Sequence, residues 1–286
     1  MQNKSSESKK TLVNTFLVGS SQFINILIGL FKTKIIAVLL GPSGIGIVQL
    51  LSSSIELVRT ASSFGLGFSG VRDISESYGT GDKKLISKKI KILKGWVFFS
   101  GILGVLITLI LSKQLSFLAF GNSSYWVEIS ILSITIIVNN VSSSYSAIIR
   151  GFRRMADFAK INVFSSLITT LIVVPIYFFF KLNGIVLALV FSSLVPLVLN
   201  ISYTKKINLS KVKITIKEGF FGGIEMFKLG LFTVLTALLT QATTYYVRIL
   251  ISEDLGLESV GYFAVATTLA VSYMGIIFTS IATDYF

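Results

Sequence analysis

The chain has 286 residues, of which 52% are hydrophobic and 14% are charged, and its formal net charge is +13. No polar stretch is long enough to build a soluble domain, so we expect an integral membrane protein. The absence of cysteine and histidine excludes disulfides, thiolate nucleophiles, imidazole bases and the usual zinc sites. We therefore predict neither a metal site nor a cofactor.

Eight runs of the sequence are apolar and long enough to cross a membrane as helices. Each approaches the roughly 20 residues that span about 30 Å of hydrocarbon. The lysines before the first run are compatible with a signal peptide, but no small-residue cleavage site follows, so we predict a retained span. The fold class is thus an all-α integral membrane protein with eight transmembrane helices. In chain order the predicted spans are 11–31, 44–70, 95–112, 129–149, 161–180, 182–204, 229–247 and 259–283.

The second span carries the most informative polar pattern. Its polar residues recur at steps of three and four, which places Glu56 and Arg59 on one helix face with Gln49, Ser63 and Gly67. A charge at mid-bilayer costs about 2.5 to 3.5 kcal/mol on insertion scales, so this face should contact protein or a wet cavity. Either the two charges neutralise each other and join helices, or they line a cavity; we favour the cavity.

Three other spans also bring amides or cations toward an interior. Lys32 and Lys34 end the first span, where they either line a cavity or extend to the membrane interface. We predict a cationic, substrate-binding cavity formed by Arg59, Lys32, Lys34, Arg248, Glu56, Asn25, Asn140 and Gln241. Such a cavity would attract an anion, and arginine and lysine suit a diphosphate well. The cytoplasmic entrance is predicted at Arg150, Arg153 and Arg154, for which a purely topological role is the alternative.

The basic residues are concentrated in alternate loops. Lys and Arg number 3 in 1–10, 7 in 72–94, 4 in 150–160 and 5 in 205–217, whereas the intervening loops together hold 5. This is the positive-inside asymmetry, and it predicts that both termini of the chain are cytoplasmic. Short loops explained by topology argue against a nucleic-acid partner. Helical spans indicate a cell inner, or plasma, membrane because outer-membrane proteins use barrels.

One sequence element occurs twice. Segments 34–46 and 248–261 both run from a basic residue through an apolar stretch to Leu-Gly-x-x-x-aliphatic-Gly. Six spans separate the copies, so the two units share an orientation and are related by an axis along the membrane normal. We predict a parallel-repeat architecture, with a six-helix lobe at 1–218 and the first two helices of a second lobe at 219–286.

Three stretches resemble one family of transporters. Segments 33–46, 149–155 and 282–286 are similar to the polysaccharide-transport branch of the multidrug/oligosaccharidyl-lipid/polysaccharide (MOP) exporter superfamily, and most of all to Wzx-type O-antigen flippases. The resemblance implies about twelve spans in two six-helix lobes. This chain departs from that pattern because it stops after span eight, so we expect a fragment or a truncated reading frame.

The resemblance also implies a function. We expect the flipping of polyprenyl-diphosphate-linked oligosaccharide units, of the undecaprenyl type, for O-antigen, lipopolysaccharide or a related surface polysaccharide. Alternating access would move the head group outward without bond chemistry, so no enzyme is expected. The implied partners are the lipid-linked oligosaccharide, membrane lipid, and a polysaccharide polymerase with its chain-length machinery. The alternatives are a drug or metabolite cation antiporter of the same superfamily and an inactive truncated remnant.

Overall fold

The computed structural model describes the backbone of residues 2–210 and 212–273, and the side chains of 19–210, 212–215 and 217–270. Segment 282–286, which carries part of the family resemblance, lies outside the described residues. No strand occurs in the described part of the chain. A 3₁₀ turn, Lys181–Gly184, joins two of the helices, and a π-helical segment, Thr268–Tyr273, follows the last one. The helices are α1 (Gln2–Ser62), α2 (Leu66–Thr80), α3 (Lys83–Phe120), α4 (Trp126–Leu132), α5 (Ile134–Gly151), α6 (Met155–Phe180), α7 (Ile185–Thr204) and α8 (Ile216–Thr267).

Five helical stretches among the described residues are long and apolar enough to cross a membrane. Three of them, Gly19–Ser62, Met155–Thr204 and Lys217–Ala270, contain 44, 50 and 54 residues. A straight helix of the shortest length would extend about 66 Å, more than twice the hydrocarbon thickness. Each is interrupted by a turn, near the middle of Gly19–Ser62 and Met155–Thr204 and nearer the end of Lys217–Ala270, so none of the three is one straight crossing. The predicted all-α membrane fold is confirmed.

Two of these interruptions are single glycines at matching positions of the sequence repeat. Gly41 breaks α1 with φ 69° and ψ 176°, and Gly256 breaks α8 with φ 80° and ψ 173°. A positive φ of this kind suits glycine and few other residues. The repeated Leu-Gly element is therefore a repeated turn, which divides α1 and α8 each into a first and a second arm.

The two turns pack against each other through the later glycine of each repeat. A Cβ atom on Gly46 would lie 2.1 Å from the backbone oxygen of Leu257, and a Cβ on Gly261 would lie 2.1 Å from that of Pro42. Pro42 and Leu257 each follow the glycine that breaks their helix, so the contact is reciprocal, as at a two-fold interface. The sequence repeat thus corresponds to a direct pairing of spans one and two with spans seven and eight.

The second span differs from its prediction. The sequence predicts one helix across 44–70, but α1 ends at Ser62 and α2 begins at Leu66. Phe64 and Gly65 both have positive φ, 53° and 66°. The cause is a close crossing of α8, because a Cβ on Gly65 would lie 2.5 Å from the backbone oxygen of Gly230. The predicted polar face therefore does not continue along one helix as far as Gly67.

Apolar packing holds the helices together and leaves an apolar exterior. One buried cluster joins the second arm of α1 to α3, α4, α5, α6 and α7. Another joins α2, α3, α5 and α8. A third, which includes Leu50, Tyr245 and Ile249, holds α8 on α1 and α3. On the outside, large side chains such as Phe31 and Phe232 are 72% and 79% exposed. An exterior of this kind needs lipid as its solvent.

Candidate functional site

A cavity with many polar lining residues lies where α8 packs against earlier helices. Its volume is about 530 Å³, within the range of small-molecule sites, and its walls come from α1, α2, α3, α5 and α8. Two further spaces of about 380 and 190 Å³ adjoin it, because Glu56 lines all three and Arg59 lines the two larger ones. We call the largest space the central cavity and the 380 Å³ space the side cavity.

The two charges of the second span form an ion pair on the cavity wall. Arg59 Nε donates to Glu56 Oε2 at 2.6 Å, and Arg59 Nη2 donates to Glu56 Oε1. The side chains remain 25% and 38% exposed, so the cavity still reaches both groups. The pair cancels its own charge, which lowers the cost of holding it within the membrane. Both sequence interpretations therefore apply to the geometry at once: the charges neutralise each other, and they line a cavity.

Arg150 is the uncompensated cation of the central cavity. It lies in the last turn of α5 and lines the cavity with Glu56 and Arg59. Among the described residues it makes no ion pair, and its Nε is buried without a hydrogen-bond partner. The guanidinium carbon is 5.5 Å from the ring centre of Phe158, which leaves most donors of the group available. The sequence analysis assigned Arg150 to an entrance, whereas the structure places it on the wall.

Amides and hydroxyls form much of the remaining wall. The predicted residues Asn140 and Gln241 both line the central cavity, one from α5 and the other from α8. Asn140 is buried, and its Nδ2 donates to Ser100 Oγ at 3.4 Å. The sequence analysis missed a second set of polar groups around Glu56 and Arg59 in the side cavity. These are Asn139, Ser142, Ser143, Ser146 and Asn200.

A signal for most of this second set is present in the sequence. Positions 139, 143, 146 and 150 are separated by steps of four, three and four, and 142 adjoins 143, which places all five on one side of a helix. For the cavity, the sequence analysis selected only Asn140 of α5, which lies on the neighbouring face with Ser144. Ser144 is buried, and its Oγ donates to the Val141 carbonyl oxygen in its own helix. Counting the polar residues on every face of α5 would have identified the face that lines the side cavity.

Four of the predicted cavity residues lie elsewhere. Lys34 lines a separate space of about 250 Å³ between the first arm of α1 and the end of α8, and Asn25 and Lys32 lie on the same arm. Arg248 Nη1 donates to Ser53 Oγ. None of the four lines the central or side cavity. The reason for the first three is that their arm precedes the turn at Gly41 and packs toward the second arm of α8.

Neither of the two other predicted entrance residues reaches the cavity wall. Arg153 is exposed and has a positive φ of 55°. Arg154 pairs with Asp157, with 2.5 Å between Nη2 and Oδ2. Both follow Arg150 in the chain, at the end of α5 where the cavity ends. Within the described residues, no group of three or more acidic, histidine or cysteine side chains could hold a metal ion.

Comparisons with known proteins give a family and a fold. A profile of the family described as "Polysaccharide biosynthesis protein" matches residues 11–285. Among solved structures, the chain is similar to a multidrug resistance MATE family transporter of the MOP superfamily in an inward-facing conformation, with a TM-score of 0.64 at 15% identity. The match covers 89% of this chain, which spans 60% of that transporter. No curated protein matches the sequence.

Proposed function

Because the chain belongs to the polysaccharide biosynthesis protein family, we propose that it carries a lipid-linked oligosaccharide across the membrane. The cargo is a saccharide repeat unit of O-antigen or a related surface polysaccharide on an undecaprenyl-diphosphate type of lipid. The observation that carries the proposal is Arg150, an uncompensated guanidinium on the wall of a central cavity that also holds the Glu56–Arg59 ion pair and several hydroxyl and amide groups.

Arg150 is the principal group for the diphosphate. A guanidinium presents five N–H donors in a planar fork that matches phosphate oxygens, and the Nε of Arg150 has no protein partner. Arg59 is secondary because Glu56 already accepts from two of its nitrogens. This reverses the order expected from the sequence, in which Arg59 was the leading cation and Arg150 belonged to the entrance.

The side cavity suits the sugars. Its serine hydroxyls both donate and accept hydrogen bonds, and Asn139 adds an amide donor and acceptor. Asn200 adds an acceptor, because its Nδ2 already donates within the protein whereas its Oδ1 has no partner. Saccharide hydroxyls need such mixed partners, whereas the prenyl chain needs none and stays in the bilayer. Lys32, Lys34, Arg248 and Asn25 have no part in this arrangement, because they lie away from both cavities.

Transport requires the cavity to face each side of the membrane in turn. We propose that the six-helix unit at 1–218 and the unit beginning at 219 rock against each other, which leaves every bond of the cargo intact. This is transport rather than catalysis. The chain would lie in the plasma membrane with both of its ends in the cytoplasm. Polymerase and chain-length machinery would receive the exported units on the opposite face of the membrane.

A second candidate is a cation antiporter of the same superfamily. The observation in its favour is Glu56, a carboxylate that lines all three adjoining spaces. A cationic cargo would bind Glu56 and displace Arg59, whereas an anionic cargo would bind the arginines. The two candidates therefore predict opposite roles for the same carboxylate.

The test is complementation of a strain that lacks the gene, using variants of the gene in its native reading frame. Surface polysaccharide and retained lipid-linked units are both quantified. We expect Arg150→Gln to lose surface polymer and retain the intermediate, and Arg150→Lys to restore part of the export. Arg153→Gln is the matched control, because Arg153 is an exposed arginine three residues after Arg150 and does not line the cavity.

Two outcomes would contradict the proposal. Full export by an inserted Arg150→Gln variant would remove the arginine from substrate binding. Unchanged surface polymer in the deletion strain, together with lost export of cationic compounds and no rescue by Glu56→Gln, would establish the antiporter instead.

A further inference from the structure

A cleft on the outside of the helix bundle points to a second binding site. It lies between the starts of α3 and α8, has a volume of about 430 Å³, and shares no residue with the central cavity. Its walls include Trp96, Phe99, Phe220 and Ile92, with one charged side chain, Lys91, at one end. We propose that this cleft binds a molecule of anionic membrane lipid, with acyl chain on the aromatic residues and headgroup at Lys91.

The apolar wall of the cleft is preformed. Trp96 Nε1 donates to the Gly219 carbonyl oxygen at 3.0 Å, which fixes the indole against α8. The ring fills the space that a Cβ on Gly223 would need, since the two would be 1.7 Å apart. The indole centre lies 6.1 Å from the Phe99 ring and 6.0 Å from the Phe220 ring. A lipid chain would meet an ordered surface, so little ordering cost opposes its binding.

The cleft is apolar along most of its length and carries a charged group at one end, as a lipid molecule does. Trp96 lies at the start of the predicted span 95–112, and tryptophan concentrates at membrane interfaces. Lys91 precedes Trp96 by more than one helical turn, about 7.5 Å along the helix axis, on the side of the polar loop. Its Nζ donates to the Val212 carbonyl oxygen at 3.0 Å, which leaves two of its three N–H donors for a ligand.

Charge selects an anionic headgroup. Segment 83–94 contains six lysines and no acidic residue. Lys88 and Lys89 pair with acidic side chains at 2.6 and 3.0 Å, and Lys94 lies 4.2 Å from the Tyr145 ring centre. Lys91 makes no ion pair among the described residues, so its charge is available at the end of the cleft. Basic groups at a membrane surface favour anionic lipid over zwitterionic lipid.

The chain offers a matched pair of substitutions that fill space. A Cβ on Gly95 would find no atom within 4 Å, so the side chain of Gly95→Leu starts in open space at the cleft. A Cβ on Gly19 would also find no atom within 4 Å, but Gly19 lies on α1, away from the cleft. Gly19→Leu is therefore the control for adding a leucine to a lipid-facing helix.

The experiment uses Trp96 as its own probe. The chain has two tryptophans, so Trp126→Phe leaves Trp96 as the single emitter. The full chain with this change is reconstituted in phosphatidylcholine vesicles that contain a minor fraction of brominated lipid, either phosphatidylglycerol or phosphatidylcholine. We expect brominated phosphatidylglycerol to bind with a preference of about fivefold, equivalent to the ~1 kcal/mol that one surface lysine contributes.

The variants then separate the two parts of the site. Lys91→Gln should abolish the preference for the anionic lipid, whereas Gly95→Leu should reduce quenching by both lipids and Gly19→Leu should leave the parent pattern. Equal quenching of the parent by the two lipids would overturn the proposal, as would a preference that survives Lys91→Gln or is unaffected by Gly95→Leu. The measurement needs no transport, so its outcome is independent of the proposed function.

Discussion

The reciprocal contact between the two glycine turns gives a stability prediction that can be worked from the coordinates. Gly46→Ala adds a methyl group 2.1 Å from the Leu257 backbone oxygen, and Gly261→Ala adds one at the same distance from the Pro42 oxygen. Contacts below 3.0 Å are essentially never seen for Cβ atoms, so the turns must separate by about 1 Å. The obstructing atoms are backbone and cannot rotate away.

The expected cost follows from two opposing terms. Overpacking of this kind costs about 1–3 kcal/mol, and alanine recovers up to about 1 kcal/mol over glycine within a helix. The middle of the resulting range, a net loss of about 1–2 kcal/mol, lowers the melting temperature of a chain of this size by about 2–8 °C. Thermal unfolding of the detergent-purified protein measures this change directly.

The double variant tests whether the contact is truly reciprocal. Each substitution forces the same two turns apart, so the second one should cost less than it does alone, with a coupling of at least about 0.5 kcal/mol. Gly19→Ala is the control, because no atom lies within 4 Å of its added Cβ, and it should leave the melting temperature unchanged or higher. The reasoning fails if Gly46→Ala behaves like that control, or if the two costs are fully additive.

Two further predictions concern hydrogen-bonded side chains and use the same thermal assay. Glu56→Gln leaves Arg59 without its carboxylate and should lower the free energy of unfolding by about 1–3 kcal/mol. Adding Arg59→Gln should recover at least half of that loss. A double variant as unstable as the single one would argue against the pairing. Trp96→Phe removes the hydrogen bond to the Gly219 carbonyl oxygen and should lower the free energy of unfolding by about 1 kcal/mol. Trp126→Phe is the control and should have a smaller effect. Equal effects would show that this hydrogen bond contributes little.

The span pattern was predictable because the relevant physics is local. The length of an apolar segment decides whether it can cross the bilayer, and a Leu-Gly turn can be recognised from the sequence alone. The break at Phe64 and Gly65 was not predictable in this way. It depends on the approach of Gly230, which lies in another helix far along the chain, and no pattern around Gly65 reports that contact.

The same distinction explains the outcome for the predicted cavity. Helical periodicity predicts which residues share a face, and in the structure Glu56, Arg59, Asn140 and Gln241 line one space. Periodicity does not state which faces meet. Lys32 and Lys34 also fit the helical spacing, yet the first arm of α1 that carries them packs toward the end of α8. Lys34 therefore lines a different and mostly apolar space. Their role in binding has no geometric support from the central cavity.

Charge balance in the central cavity links its geometry to the choice of cargo. Glu56 and Arg59 cancel each other, and Arg150 leaves one positive charge among the described residues of its wall. A diphosphate carries more negative charge than one arginine neutralises, so its binding strengthens whenever Arg59 turns from Glu56 toward the phosphate. A cationic cargo would instead draw Glu56 from Arg59 and meet repulsion from Arg150. The pair can serve either cargo, but Arg150 opposes only the cation, and this asymmetry favours the anionic lipid-linked saccharide.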